Sequence, residues 1–181
     1  MPSPTLIRPV TPDDAPAIAD IYSYYVENTC ITFEYESPSA KEMQQRIEKI
    51  ASKYPWFVAL SNGEIAGYAY ATQFRERDAY RWNVETSVYV KASEQRKGIA
   101  TALYNALLDA CTRQGFYRAI AVITLPNEKS VAFHKGFGFN EVGVFNDVGF
   151  KMDAWHNVMF LDKALRPADE SPSEIQLPAL K

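Results

Sequence analysis

The sequence predicts an α+β fold, with helices interrupting a mostly antiparallel sheet. Three observations carry this. Apolar residues recur at helical spacing in three well-separated stretches. Between them lie short runs rich in β-branched and aromatic residues, bounded by turn residues. The resulting order, β-α-α-β-β-β-α-β-α-β-β, shows no internal repeat and no domain linker.

Leu6-Ile7-Arg8-Pro9 reads as a short strand. Thr11-Pro12-Asp13-Asp14 is a helix start: a cap residue, proline at the first helical position, and acids at the positive end of the dipole. Ala15, Ile18, Ala19, Tyr22 and Val26 then form one apolar face. A second helix begins at Ser39, with Glu42 completing a capping box and Met43, Ile47 and Ile50 as its stripe. Trp56–Leu60 and Ile65–Thr72 are strands joined through an Asn62-Gly63 hairpin turn. Trp82–Val90 is a further strand, and the loop Lys91–Lys97 leads into a helix over Gly98–Gln114, with Ile99, Leu103, Leu107 and Ala110 on one face. Gly115 supplies a left-handed stop. Ala119–Thr124 is a strand, Asn127–Lys135 a short helix stopped at Gly136, and Asn140–Asn146 and Phe150–Leu161 are the last two strands. The folded domain is expected over residues 1–165, followed by a mobile tail over 166–181 rich in Pro, Ser and Glu.

A chain of 181 residues can bury a sizeable core, and 47% hydrophobic with 23% charged residues is the balance of a globular protein. The formal net charge of −3 gives no basic surface for nucleic acid. No apolar run reaches the length of a membrane span. The opening Met1-Pro2-Ser3-Pro4 lacks the basic start and apolar stretch of a signal peptide, so a cytoplasmic protein is expected. Cys30 and Cys111 form no metal-ligand or redox motif and read as packing residues, and no metal is expected.

The segment Gln95-Arg96-Lys97-Gly98-Ile99-Ala100 follows a strand and opens an amphipathic helix. Amides exposed at a turn and a helix N-terminus make a positive cradle, Gly98 allows close backbone approach, and Arg96 and Lys97 add charge. The same residues could form a plain strand-to-helix loop. The segment resembles the Gln/Arg-x-x-Gly-x-Gly/Ala signature of the GNAT acetyltransferase superfamily. Asn127-Glu128-Lys129-Ser130 and Phe133-His134-Lys135-Gly136-Phe137 resemble its next element, and the likeness extends over about residues 5–163. Phe74–Trp82, followed by Val84-Glu85-Thr86-Ser87-Val88-Tyr89-Val90, resembles the phosphinothricin and methionine-sulfoximine N-acetyltransferases within it. So does Lys151-Met152-Asp153-Ala154-Trp155-His156-Asn157-Val158, which carries Asn157 where aspartate is usual; no role is assigned to Asn157.

The resemblance implies a central sheet with helices on both faces and two strands splayed to bind acetyl-CoA as co-substrate. Backbone groups of Val88, Tyr89 and Val90 would pair with the pantetheine arm. Gln95, Arg96, Lys97, Gly98, Ile99, Ala100 and Thr101 would hold the pyrophosphate. Asn127 would bond the cofactor arm, cap its helix, or both.

Acetyl transfer to an amine requires a base, stabilisation of a developing oxyanion and departure of a thiolate. An amide such as that of Val88 can meet the oxyanion, and no Cys or Ser arrangement suggests a covalent enzyme intermediate. Glu85 lies about 10 Å before Val88 along the strand, a reach suited to a base acting directly or through water; the alternative is a strand-edge carboxylate in a salt bridge. His134 stands where many relatives carry a tyrosine proposed to protonate the thiolate, or it is a packed, neutral histidine.

Arg75 and Arg77 are two apart, so in extended chain they share a side and can fork an α-carboxylate; otherwise they pair with Glu76 and Asp78 in an exposed loop. Glu76, Glu85, Thr86 and Ser87 join them as expected substrate contacts, and Phe33 and Tyr35 are either pocket wall or core. The implied acceptor is the α-amine of a small amino-acid analogue such as methionine sulfoximine, methionine sulfone or phosphinothricin. Other amines, on peptides or small molecules, and a non-catalytic acyl-CoA-binding module are the alternatives. A homodimer is expected by family analogy.

Overall fold

The computed structural model describes residues 5–168 and 171–178. Met1–Pro4, read above as no signal sequence, and residues 169–170 and 179–181 of the tail lie outside the described residues. Seven strands form one sheet: β1 (Leu6–Pro9), β2 (Trp56–Ser61), β3 (Glu64–Gln73), β4 (Asn83–Val90), β5 (Arg118–Thr124), β6 (Asn140–Lys151) and β7 (Ala154–Ala164). Their spatial order is β1-β2-β3-β4-β5-β7-β6, and every pair is antiparallel except β4 with β5. Four helices, α1 (Ala15–Asn28), α2 (Ala40–Ala51), α3 (Ile99–Gln114) and α4 (Glu128–Gly136), cover it. On one face Ile18, Tyr22 and Val26 of α1 and Met43 and Ile47 of α2 pack on Trp56, Val58 and Tyr68. On the other, Leu103, Tyr104 and Leu107 of α3 pack on Ala69, Val84 and Ala121. No helix among the described residues is long and apolar enough to cross a membrane.

Local chemistry sets most boundaries. The Ser39 hydroxyl accepts from the Glu42 amide, and the Glu42 carboxylate accepts from the Ser39 amide at 2.7 Å. Thr11 opens a 3-10 turn over Pro12–Asp14 rather than α1 itself; there the Thr11 amide donates to the Asp14 carboxylate, which also receives a bidentate Arg8 fork with both bonds at 2.7 Å. The final hairpin differs from expectation. Asn146–Gly149, rich in turn formers, is an irregular stretch within β6, and the chain reverses at Met152–Asp153, both at positive φ. Asn157, given no role above, accepts a bond from the Asp147 amide at 2.9 Å and so braces that irregularity. The described part of the tail is tied to the domain: Trp82 Nε1 donates to Ser173 O, Gln176 and Gln114 exchange bonds, and Ile175 packs on the core. Its polar composition gives no hint of these contacts.

The feature that positions the site is the parting of the two parallel strands. β4 pairs with β5 only over Asn83–Glu85, opposite Arg118–Ile120, while β5 continues to Thr124 along β7. The Thr86 hydroxyl closes the paired region, lying 2.7 Å from the Tyr104 hydroxyl and donating to Ile120 O at 3.2 Å. Thr86 and Tyr104 are both buried. Thr86→Val would leave the Tyr104 hydroxyl without a partner in a dry site, at a cost of about 1–3 kcal/mol. Adding Tyr104→Phe is expected to recover most of that loss, and urea unfolding midpoints of the three variants check it.

Candidate active site

Once β4 leaves β5, its edge needs new partners. The Lys91 amide donates to Ala66 O on β3, whereas the Val90 carbonyl turns the other way and accepts from the Tyr25 hydroxyl at 2.5 Å. Backbone groups alternate sides along a strand, so the amide and carbonyl of Val88 share the orientation of Val90 and face the gap. A groove of about 810 Å³ runs along this edge and is lined by Val88, Val90 and Asn127. At its other end lies the turn into α3. Arg96 at φ 65° and Gly98 at φ 79° reverse the chain. The first backbone bond of α3 runs from Ala102 N to Gly98 O, so the amides of Ile99, Ala100 and Thr101 precede the helical ladder. Gln95, Arg96 and Gly98–Thr101 all line the groove. An extended, amide-bearing molecule ending in phosphates fits these donors: strand groups for the arm, and a helix N-terminus with Arg96 for the anion.

Lys97 does not line the groove; its ammonium pairs with Glu94 at 3.0 Å. Tyr89 borders a small cavity in the gap, but by alternation its backbone groups face β3, where it pairs with Tyr68, and its ring packs on the opposite face of β4 against Tyr22, Tyr25 and Tyr68. Asn127 caps α4 by accepting from the Ser130 amide at 3.2 Å, and it also lines the groove. Tyr25 was missed. It reads in the sequence as an ordinary helix residue, and only the tertiary contact with Val90 reveals it.

Glu85 sits on the last paired residue of β4, between Thr72 of β3 and Ile120 of β5. It is half-buried and makes no ion pair among the described residues, so the salt-bridged alternative does not describe it. Burial pushes its carboxyl above the ordinary carboxylate range. By strand alternation Ser87 shares its side, which is the α1–α2 face of the sheet. Thr86, expected among the substrate contacts, points to the α3 face, where its hydroxyl is already engaged.

His134 lines a small cavity of about 70 Å³ in the gap, with Thr86, Ser87, Val88, Asn127 and Ser130. Its Nδ1 is 2.8 Å from Ser130 O, which fixes the proton on Nδ1 and leaves Nε2 as an acceptor in the neutral ring. Burial pushes the imidazole below its usual pKa, against the raising effect of Ser130 O.

Arg75 and Arg77 are exposed, and neither lines the groove or the small cavity. The chain bends at Glu76 and Arg77, so the alternation of an extended strand does not hold there. Arg75 stacks over Phe74 at 5.1 Å and Tyr80 at 5.9 Å. Neither arginine pairs with Glu76 or Asp78 among the described residues. A polar cluster on the Glu85 side also went unread. Tyr22 Oη lies 2.7 Å from Thr32 Oγ1 and donates to Glu34 at 2.8 Å, and Arg46 forks onto Glu34 at 2.7 and 2.9 Å. Its members come from three successive segments, with partners 10 to 12 residues apart, so no local motif announces it.

The Glu85 environment has a consequence for stability. A carboxyl raised above its unfolded-state value contributes its full stability below the ordinary pKa of 4.5, and loses it as pH rises through the folded-state value. Glu85→Gln is therefore expected to melt higher than the parent near neutral pH, with the gap closing below about pH 4.5, in calorimetric scans across pH.

The acetyltransferase (GNAT) domain profile matches residues 7–160. A phosphinothricin N-acetyltransferase of Streptomyces viridochromogenes is 38% identical over 170 residues, 93% of each chain. An L-methionine sulfoximine/L-methionine sulfone acetyltransferase of Pseudomonas aeruginosa is 31% identical, covering 92% of this chain and 98% of its own. Among solved structures, a GNAT superfamily phosphinothricin acetyltransferase from Sinorhizobium meliloti in complex with AcCoA superposes with a TM-score of 0.91 at 37% identity, covering 94% of both chains. Domain profile, relatives and fold agree, and the chain belongs to the GNAT family as an acetyl-CoA-dependent N-acetyltransferase.

Proposed function

We propose that this enzyme acetylates the α-amine of a small amino-acid analogue with a polar tetrahedral centre on its side chain, of the methionine sulfoximine, methionine sulfone or phosphinothricin type. The observation that carries the reading is Glu85, a half-buried carboxylate with no ion pair among the described residues, at the point where β4 leaves β5. The names of the relatives from Streptomyces viridochromogenes and Pseudomonas aeruginosa support the acceptor class. Two guanidinium groups without an ion pair among the described residues, Arg75 and Arg77, with Glu76 between them, are available to meet a carboxylate-bearing acceptor.

Acetyl-CoA, when bound, supplies a thioester whose carbonyl carbon is open to direct attack. Glu85 takes a proton from the incoming ammonium, directly or through water, and its raised pKa matches it to that task. The Val88 amide, facing the gap, donates to the carbonyl oxygen as charge develops there. Gln95, Arg96 and the amides of Gly98–Thr101 hold the phosphates, and Asn127 holds the arm. His134 borders the gap and passes a proton to the departing sulfur; its neutral resting state means that this proton must first reach Nε2. The reading includes a homodimer. Val142, Val144, Phe145, Val148 and Trp155 leave an exposed apolar surface on the β6–β7 hairpin, suited to a second copy.

Thiol release from acetyl-CoA across a panel of amino-acid analogues, polyamines and short peptides tests the function. Release driven by the sulfoximine, sulfone or phosphinothricin is expected; release driven only by peptide or polyamine would sink the proposal. In kcat/KM against pH, the acidic limb is expected above the ordinary carboxylate range and should vanish in Glu85→Gln, with a loss of about 100-fold or more. An unchanged profile removes Glu85 as the base. Arg75→Ala is expected to raise the acceptor KM about 10-fold or more and leave that of acetyl-CoA unchanged; the reverse pattern refutes the carboxylate fork.

A further inference from the structure

The segment between α1 and α2, residues 29–39, contains no helix or strand, yet it borders both sides of the site. Thr29, Cys30 and Ile31 line the groove, while Thr32 and Glu34 join Tyr22 and Arg46 in the polar cluster on the Glu85 side. The tip of the β6–β7 hairpin holds this segment. Lys151, only 3% exposed, donates from Nζ to Val26 O at 2.7 Å and to Thr32 O at 2.8 Å. Val26 belongs to the last turn of α1, whose carbonyls have no partner within the helix, so the ammonium also sits at the negative end of the helix dipole. The Tyr35 hydroxyl donates to Phe150 O, and Cys30 Sγ lies 3.6 Å from Met152 Sδ. The Phe33 ring lies in the space over Gly149 so closely that a Cβ added there would come within 2.1 Å of it.

These contacts run from four consecutive hairpin residues, Gly149 to Met152, and from His156 behind Phe33, into one irregular segment. The segment contains no helix or strand to hold its shape, so its position is set by ties from outside it: Tyr22 and Arg46 hold Thr32 and Glu34 from α1 and α2, and the hairpin holds residues 30–35 from the other side. Among the described hairpin contacts, Lys151 reaches both the segment, at Thr32, and α1, at Val26, through a single charged group. We propose that Lys151 is a positioning residue, and that the β6–β7 tip acts as a template fixing residues 29–38 and thereby the selection of the acceptor. This rests on the reading that the acceptor binds on the Glu85 side of the sheet.

Two measurements on the full chain separate this proposal from that reading. Amide hydrogen exchange needs no acceptor: Lys151→Met is expected to speed exchange over residues 29–38 at least tenfold, with α3 unchanged. Steady-state kinetics with whichever amine the parent acetylates should show the acceptor KM raised about tenfold or more, with that of acetyl-CoA within about twofold. Gly149→Ala, which displaces the Phe33 ring without touching charge, should show the same split and serves if Lys151→Met does not fold. Lys151→Arg, which keeps donors for both carbonyls, should recover part of the acceptor KM. Unchanged exchange over 29–38 overturns the template. Faster exchange with an unchanged acceptor KM, or both KM values rising together, overturns the positioning role. A parent enzyme that acetylates no small amine refutes the acceptor reading instead, because the exchange result does not depend on it.

Discussion

The site depends on one event in the sheet: two parallel strands stop pairing three residues after they begin. β4 and β5 share Asn83–Glu85 and Arg118–Ile120, and then separate. A strand edge cannot remain unpaired inside a protein, so the gap must be filled by side chains, a ligand or both. Thr86 and Tyr104 close the paired end. Tyr25 takes the carbonyl of Val90 at the far end. Between them lies the backbone of Val88, and beyond them the amides at the start of α3. The groove and the residues that border it are thus consequences of one missing ladder.

The same event explains the electrostatics. Glu85 occupies the last paired position, flanked by strands on both sides, so water reaches it poorly and burial alone raises its carboxyl. His134 is likewise desolvated, and a backbone carbonyl fixes its proton on the nitrogen nearer the helix. Burial moves both groups towards their neutral forms, one by holding a proton and the other by losing it. A carboxylic acid that ionises late and an imidazole that charges reluctantly have opposite tasks available to them when an amine must lose a proton and a thiolate must gain one.

What could be read from the sequence was what neighbours in the chain decide. Ser39 and Glu42, Asn62 and Gly63, and Gly98 and Gly115 act within a few residues of themselves, and each marks its boundary correctly. The helix start at Gly98 was readable from local signals, whereas Glu85 and the strand groups of Val88–Val90 were singled out through the family resemblance. The rest required distance. Tyr25 is 65 residues from Val90, and Lys151 is 125 from Val26, so nothing local distinguishes either from ordinary helix or strand residues. The misplaced hairpin turn has a related cause. Asn146–Gly149 has the composition of a turn but is kept within β6, where Asn157 braces it from across the hairpin, while the true turn uses Met152 and Asp153. The same-side argument for Arg75 and Arg77 assumed a straight chain where the backbone bends.

The Tyr25 hydroxyl on the Val90 carbonyl has a further meaning. A strand offers hydrogen bonds at a repeat of about 7 Å, and a guest that pairs with such an edge could settle one step too far along with no loss of bonds. Here the acceptor at the outer step is already taken. On the proposed reading, an arm laid against β4 would have one alignment that satisfies it, and slippage would cost a bond at once. The depth at which a reactive carbonyl stops would then be measured out from the side of the channel, like the notch on a ruler, rather than by a wall at its end.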